Sequence, residues 1–188
     1  MIEKIQKRYT QEAQDNDGLS CGSNIAFLNI SPGECILDLG CGCGNETIDA
    51  AKLTGSEGVS YGMDITDAMI IKAASMAETM GLSNAKFVKG NIEELPFEDE
   101  NFDAIMSNCV INHAKDKKKV YQEIFRVLKR GGRFVVSDAV TKEPLPDDVK
   151  SDPEAWAQCY GGAVTEQEYL ESIRSSGFDK IKILKRRE

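Results

Sequence analysis

The stretch Leu37-Asp38-Leu39-Gly40-Cys41-Gly42-Cys43-Gly44 places three glycines between an apolar run and a helical pattern. Residues 35–39 predict a β-strand, and residues 46–53 predict a helix. Glycines at such a junction let the backbone approach a ligand closely. The crevice beyond the strand ends is also where open α/β sheets bind their ligands. The stretch therefore predicts a ligand site at the carboxyl end of the first strand.

Outward from this junction, strand-like runs alternate with helical patterns. Further strands are predicted at residues 59–63, 86–88, 102–107, 133–139 and 180–184. Helices are predicted at residues 67–80, from Asp116 to Gly131-Gly132, after Asp152-Pro153, and after the capping box that begins at Thr165. This alternation is typical of an α/β three-layer sandwich, with helices on both faces of a mostly parallel sheet.

Composition excludes several classes of partner. The net charge of −8 gives a phosphate backbone little to bind, which argues against nucleic acid. No apolar run approaches membrane-spanning length, and residues 1–10 are polar where a signal peptide needs an apolar core. We therefore expect a cytoplasmic protein that acts on a small substrate, without a nucleic-acid or membrane partner.

The chain has six cysteines and one histidine, His113. Cysteines in the cytoplasm stay reduced, so disulfides are not expected. No Cys-x-x-Cys pair is present, which argues against zinc. We expect His113 to be a surface or loop residue without a catalytic role, and Cys35 to be a small core residue.

Two acidic residues narrow the identity of the ligand. Asp38 precedes the glycines, where its carboxylate can accept hydrogen bonds or face a cation. Asp64 ends the second strand, the position from which an acid binds ribose hydroxyls. With Gly90-Asn91-Ile92-Glu93-Glu94-Leu95-Pro96-Phe97 and Asn101-Phe102-Asp103 following in order, residues 30–140 resemble the class I S-adenosylmethionine-dependent methyltransferases.

That resemblance implies a Rossmann-like fold with S-adenosylmethionine as cofactor. By position, Asp38, Gly40 and Gly42 would contact the methionine end of the cofactor, and Asp64 with Met63 would hold the ribose and adenine. Further contacts are expected from Asn91, Ile92, Asn108 and the ring of Tyr9. Cys41 and Cys43, within the glycine loop, would touch the cofactor.

Three other cysteines fall in separate segments that could converge. The phrases that contain them resemble the arsenite methyltransferases: Cys21-Gly22-Ser23, Ser107-Asn108-Cys109-Val110-Ile111-Asn112, Ser137-Asp138, and Trp156 with Cys159-x-Gly161-Gly162-Ala163. The resemblance implies that Cys109, Cys159 and Cys21 bind trivalent arsenic as thiolates, which are soft ligands suited to it. It also implies an external thiol reductant that regenerates the site. We expect Trp156 to act as a lid that excludes water.

The resemblance also predicts the organisation of the chain. We expect one domain over residues 1–188, with an N-terminal helix and cap (1–30), a cofactor-binding core (31–140), and a substrate lid, helix and final strand (141–188). The last strand of the full methyltransferase sheet is not found in the sequence. The uncovered sheet edge could then support a homodimer.

Two alternatives remain open. The acceptor could be a small organic molecule, such as a quinone precursor or a thiol, in which case Cys109 and Cys159 would be dispensable. The chain could instead bind the cofactor or a metalloid without turnover, which binding without product would reveal.

Overall fold

A computed structural model describes residues 2–15 and 23–186 of the chain. The strands are β1 (Cys35–Leu39), β2 (Val59–Asp64), β3 (Ala85–Lys89), β4 (Phe102–Asn108) and β5 (Leu128–Ser137). They form one sheet in the order β3-β2-β1-β4-β5, and each neighbouring pair is parallel. The order reverses between β1 and β4, which creates a crevice at the carboxyl ends of these two strands.

Eight α-helices are described, and three of them begin at a side-chain cap. They are α1 (Ile2–Asp15), α2 (Ile25–Leu28), α3 (Asn45–Thr54), α4 (Asp67–Thr79), α5 (Lys117–Val127), α6 (Asp147–Ser151), α7 (Pro153–Ala157) and α8 (Glu166–Arg174). Side chains of Asp116, Asp152 and Thr165 accept hydrogen bonds from the first turns of α5, α7 and α8. These caps satisfy backbone N–H groups that the helices leave unpaired.

Alternation along β1 distributes the helices over both faces of the sheet. Leu37 and Leu39 belong to the buried cluster that contains the inward residues of α5 and α8. Ile36 lies in a separate cluster with Leu28 of α2 and Ala50 of α3. Each of the buried Leu and Ile side chains contributes roughly 1.5–3 kcal/mol. The predicted α/β sandwich is confirmed, and the sheet is entirely parallel.

The end of α5 lies earlier than predicted. The glycines Gly131-Gly132 favour a helix end at that point, but α5 ends at Val127 and β5 starts at Leu128. Leu128 pairs with Phe102 of β4, and the next pair joins Arg133 to Ala104, so residues 129–132 form an irregularity in the strand. Pairing with β4 therefore overrides the helical pattern, and the glycines serve the irregularity.

The predicted final strand is absent from residues 178–186, which form no regular element. Ile181 still packs against the core, whereas Ile183 and Leu184 are 39% and 47% exposed. A strand gains stability only by pairing, and in the described part of the chain this segment pairs with nothing. The prediction of a strand at 180–184 was wrong, and the described sheet ends at β5.

Candidate active site

A cleft of about 460 Å³ opens at the carboxyl ends of β1, β2 and β4. A volume of this size suits a small ligand or cofactor. Its floor is the loop between β1 and α3, and α1 and the segment after α7 close it from the other side. Gly40 and Gly42 have φ of 71° and 51°, in the left-handed region that favours glycine. A Cβ atom at Gly40 would lie 2.5 Å from the side chain of Val110, so only glycine fits there.

Two carboxyl groups, one buried and one partly buried, line this cleft. Asp38 is 3% exposed and accepts a hydrogen bond from the Thr47 hydroxyl at 2.7 Å. Burial raises the pKa of Asp38 to about 7. Asp64 accepts from the backbone N–H of Gly42 at 3.1 Å and of Thr66 at 2.9 Å. Burial raises the pKa of Asp64 as well, against the effect of these hydrogen bonds.

The cleft is acidic as a whole. Among the described residues that line it, five are carboxylic acids and one is a guanidinium. The acids are Glu12, Asp38, Glu46, Asp64 and Glu93. Such a lining favours a ligand with positive charge. S-adenosylmethionine carries a sulfonium and an ammonium group, so the residues present fit this cofactor.

The residues expected at the adenine have different environments. Asn91 and Ile92 line the cleft, and the Asn91 side-chain oxygen accepts from the Glu93 N–H at 3.0 Å. Met63 is fully buried in the core and is not among the cleft-lining residues. Its carbonyl oxygen accepts from the N–H groups of Gly40 and Cys41 at 2.8 and 3.0 Å. Met63 therefore supports the glycine loop from below, and its side chain does not offer the predicted adenine contact.

The structure brings two of the three predicted arsenic ligands together. Cys109 follows β4, Cys159 follows α7, and both line the cleft with Asn108. The Cys159 thiol donates to the Cys109 carbonyl oxygen at 2.7 Å. Cys21 lies outside the described residues. Cys41 and Cys43 also line the cleft, as expected for the glycine loop.

The backbone at this thiol pair is unusual. Cys109 and Cys159 have φ of 55° and 69°, and only four non-glycine residues in the described chain have a positive φ. Such conformations cost free energy and concentrate at functional sites. Burial raises the pKa of Cys159 to about 12, so this thiol is protonated at neutral pH.

The redox state of the cysteines differs in part from expectation. Cys35, Cys41, Cys43 and Cys159 are free thiols, but Cys109 is disulfide-bonded. The expectation that all cysteines are reduced was therefore wrong for Cys109. A disulfide-bonded Cys109 must be reduced before it can bind a soft ion.

His113 and Trp156 lie where the sequence did not predict them. His113 lines the cleft and contacts both Tyr9 of α1 and the Trp156 carbonyl, so it is not a surface residue. Trp156 does not line the cleft. Its indole N–H donates to the Lys150 carbonyl at 2.7 Å, and its ring packs against Gly162. Trp156 therefore supports the turn that carries Cys159 and does not cover the site as a lid.

Helix α1 forms a cover on one side of the cleft, which it lines with Ile5, Arg8 and Tyr9. The Arg8 guanidinium donates to the Ala157 carbonyl, and Lys4 forms an ion pair with Glu154. Contacts between α1 and α7 thus hold the cover in place. They join residues about 150 positions apart, which no local sequence pattern reveals.

Residues 30–177 match the methyltransferase domain family. The chain belongs to this family, and its fold is that of the class I S-adenosylmethionine-dependent methyltransferases. Among the described residues, none of the helices is long and apolar enough to cross a membrane. Nor does that part of the chain contain a group of three or more His, Cys, Asp or Glu residues that could hold a metal ion.

Within this class the chain resembles the arsenite methyltransferases. It is 39% identical over 166 residues to the arsenite methyltransferase of Halobacterium salinarum, covering 88% of the chain and 42% of that protein. The mouse arsenite methyltransferase is 36% identical over 152 residues, covering 76% of the chain and 40% of that protein. The chain therefore spans less than half the length of these relatives.

A solved structure agrees with the sequence comparison. The arsenic(III) S-adenosylmethionine methyltransferase of Chlamydomonas reinhardtii matches with a TM-score of 0.74 and 33% identity. The match covers 90% of this chain and 61% of that one.

Proposed function

We propose that the chain catalyses S-adenosylmethionine-dependent methylation of trivalent arsenic bound to cysteine thiols. The observation that carries this proposal is the meeting of Cys109 and Cys159, from distant segments, at the edge of an acidic cleft. Cys21 is the third proposed ligand. We assign the cofactor to residues 31–140 and the substrate to the segment after residue 140, together with Cys109.

Arsenite suits this thiol pair because its binding conserves charge. Arsenous acid condenses with two thiols, so that two As–S bonds form and the S–H protons leave with As–OH oxygens as water. The Cys159 thiol, whose pKa of about 12 opposes a free thiolate, then becomes part of a neutral adduct. Burial that penalises the anion therefore favours the arsenic-bound form.

The cofactor would occupy the acidic end of the cleft. We assign Asp38 to its ammonium group, Asp64 to its ribose hydroxyls, and Tyr9, Asn91, Ile92 and Asn108 to its remaining surface; all of them line the cleft. When bound, S-adenosylmethionine supplies an electrophilic sulfonium methyl group, to which the arsenic lone pair can bond as the methyl–sulfur bond breaks. The protein itself positions the arsenic, since this nucleophile has no proton to lose.

Transfer of a methyl cation to trivalent arsenic raises it to the pentavalent state. Two thiolates can return two electrons to arsenic by leaving it as a disulfide, and an external thiol then reduces that disulfide. We therefore propose an external thiol as reductant.

The test is methyl transfer from S-adenosylmethionine to arsenite in excess thiol, with products identified by mass spectrometry. We expect methylated arsenic from the parent and none above background from Cys109→Ser or Cys159→Ser. Cys35→Ser is the matched control, because Cys35 is a free thiol outside the cleft, and it should retain activity.

The remaining outcomes identify the alternatives. If the serine variants methylate arsenic as well as the parent, the thiol site is wrong. If the parent binds the cofactor and methylates an organic acceptor but not arsenite, the acceptor is wrong. Binding of cofactor and arsenite without any methylated product would identify a binding protein.

A further inference from the structure

His113 connects the cover of the cleft to the turn that carries Cys159. Its Nε2 atom lies 3.0 Å from the Tyr9 hydroxyl, and its Nδ1 atom lies 2.9 Å from the Trp156 carbonyl oxygen. The rings of Tyr9 and His113 also make an edge-to-face contact at 5.6 Å. One imidazole thus joins α1 to the end of α7.

The partners of His113 define its hydrogen bonds. A carbonyl oxygen can only accept, so Nδ1 carries the proton and donates to Trp156. A neutral imidazole then has Nε2 as acceptor, and the Tyr9 hydroxyl donates to it. Burial lowers the pKa of His113 to about 4, in agreement with a neutral ring. The two hydrogen bonds therefore point in one direction: Tyr9 donates to His113, and His113 donates to the Trp156 carbonyl.

The Trp156 carbonyl oxygen also accepts a hydrogen bond from the backbone of Cys159. The Cys159 N–H donates to the Trp156 oxygen at 3.1 Å. Cys159 has a left-handed backbone conformation that needs support from its surroundings. The Trp156 oxygen is therefore a shared acceptor, and its position helps to fix the direction of the Cys159 side chain.

We propose that His113 is a positioning residue that couples occupancy of the cofactor cleft to the Cys159 turn, through Tyr9 and the Trp156 carbonyl. A cofactor packed against Tyr9 keeps the Tyr9 hydroxyl hydrogen-bonded to His113. His113 in turn fixes the Trp156 carbonyl oxygen, which accepts from the Cys159 N–H. The use of this coupling in catalysis rests on the proposed function. By reciprocity, a ligand on Cys159 must strengthen cofactor binding by the same factor.

A purely structural role would have a different consequence. A histidine that only fills space would change global stability when replaced, without altering the effect of one ligand on the other site. The decisive measurement is therefore the coupling, and not activity alone. His113→Phe keeps a ring of similar size and removes both hydrogen bonds of the imidazole. Tyr9→Phe removes only the hydroxyl that donates to His113.

The first experiment needs no arsenic. Amide hydrogen exchange is followed by mass spectrometry in a peptide covering residues 156–163, with and without S-adenosylhomocysteine at saturating concentration. We expect bound ligand to slow exchange at the Cys159 N–H by about tenfold in the parent, within the usual range of coupling between sites. In His113→Phe and Tyr9→Phe the slowing should disappear although the ligand still binds. Thr165→Ala, which removes the cap of α8 outside the cleft, should retain it.

The second experiment measures the coupling with arsenite. Trp156 is the single tryptophan of the chain and adjoins the Cys159 turn, so its fluorescence can report arsenite binding to the reduced protein. S-adenosylhomocysteine should tighten arsenite binding about tenfold in the parent and leave it unchanged in His113→Phe.

The outcomes separate the two proposals. Equal protection by S-adenosylhomocysteine in the parent and in His113→Phe, or protection in neither, overturns the role of His113. If exchange responds as expected but arsenite does not bind the parent, the arsenic function is wrong and the coupling stands.

Discussion

Cofactor affinity should depend on pH through the ionisation of Asp38. This carboxyl is buried beside the glycine loop, and its described neighbours within electrostatic range are the acids Glu46 and Asp64. Burial raises its pKa to about 7, with the two acids adding to the effect and the Thr47 hydroxyl opposing it. In the unliganded protein, Asp38 is therefore half protonated near neutral pH.

The magnitude follows from this pKa. A cationic ammonium group binds the ionised carboxylate, so protonation competes with the cofactor and affinity falls as pH decreases below the pKa. With a pKa of about 7, the ionised fraction is about one half at pH ~7 and about one hundredth at pH ~5. Affinity should therefore fall about 50-fold over this interval, which corresponds to about 2.3 kcal/mol.

The assay is isothermal titration of S-adenosylmethionine into the protein without acceptor, at several pH values between about 5 and 7. At pH ~7, binding should release about half a proton, measured by repeating the titration in buffers of different ionisation enthalpy. Asp38→Asn should bind more weakly and lose both effects. Asp138→Asn is the matched control, because Asp138 is partly buried, with a pKa raised to about 6, but does not line the cleft.

Three results would refute the reasoning. Affinity could be constant between these pH values, which would mean that Asp38 is ionised throughout. Asp38→Asn could keep the parent's pH dependence, in which case another group such as Asp64 is responsible. Loss of the dependence in Asp138→Asn would show that the titrating group lies outside the cleft.

Two substitutions test how the cleft is supported. Gly40→Ala places a Cβ atom 2.5 Å from Val110 at a φ of 71°, so it should destabilise the fold by about 1–3 kcal/mol in urea unfolding and abolish cofactor binding. Gly33→Ala has a similar φ with no atom within 4 Å and should leave cofactor binding intact; equal binding by both variants would contradict the close approach. Asn24→Ala removes the hydrogen bonds that a 1% exposed amide makes to Ser107 and Ser137, and should cost about 1–3 kcal/mol, whereas a change below about 0.5 kcal/mol would show that the bonds contribute little.

Local patterns in the sequence were sufficient to predict the first four strands and most helix starts. The first four strands agree with prediction to within about two residues, because each has a compact apolar run bounded by polar or glycine residues. Asp116, Asp152 and Thr165 marked helix starts through their own side chains. The errors occurred where pairing decides the outcome. Leu128 joins β5 because β4 offers a partner, and residues 180–184 form no strand because none is available to them among the described residues.

The candidate site was predictable only in part. The glycine loop and its two acids follow directly from strand ends, and the resemblance suggested that Cys109 and Cys159 converge. The role of His113 depends on contacts with Tyr9, 104 positions away, and with Trp156, 43 positions away. No periodicity in the sequence encodes such contacts. The only available signal was that a single histidine follows the fourth strand, at the sheet edge where ligands bind.

The distribution of charge and protons in the cleft accords with the arsenic acceptor proposed above. The carboxylates gather where a cationic cofactor would bind, whereas the two sulfur atoms at the end of β4 carry no charge, since Cys159 remains protonated and Cys109 is disulfide-bonded. An oxygen or nitrogen acceptor that loses a proton on methylation needs a base beside it. His113, the histidine of the chain, has both ring nitrogens engaged, with Tyr9 and with Trp156. Arsenic needs no such base because its lone pair carries no proton, and the thiol protons leave as water with hydroxyl groups of arsenous acid when the As–S bonds form. The same engagement that makes His113 unsuitable as a base makes it suitable for holding the Cys159 turn in place.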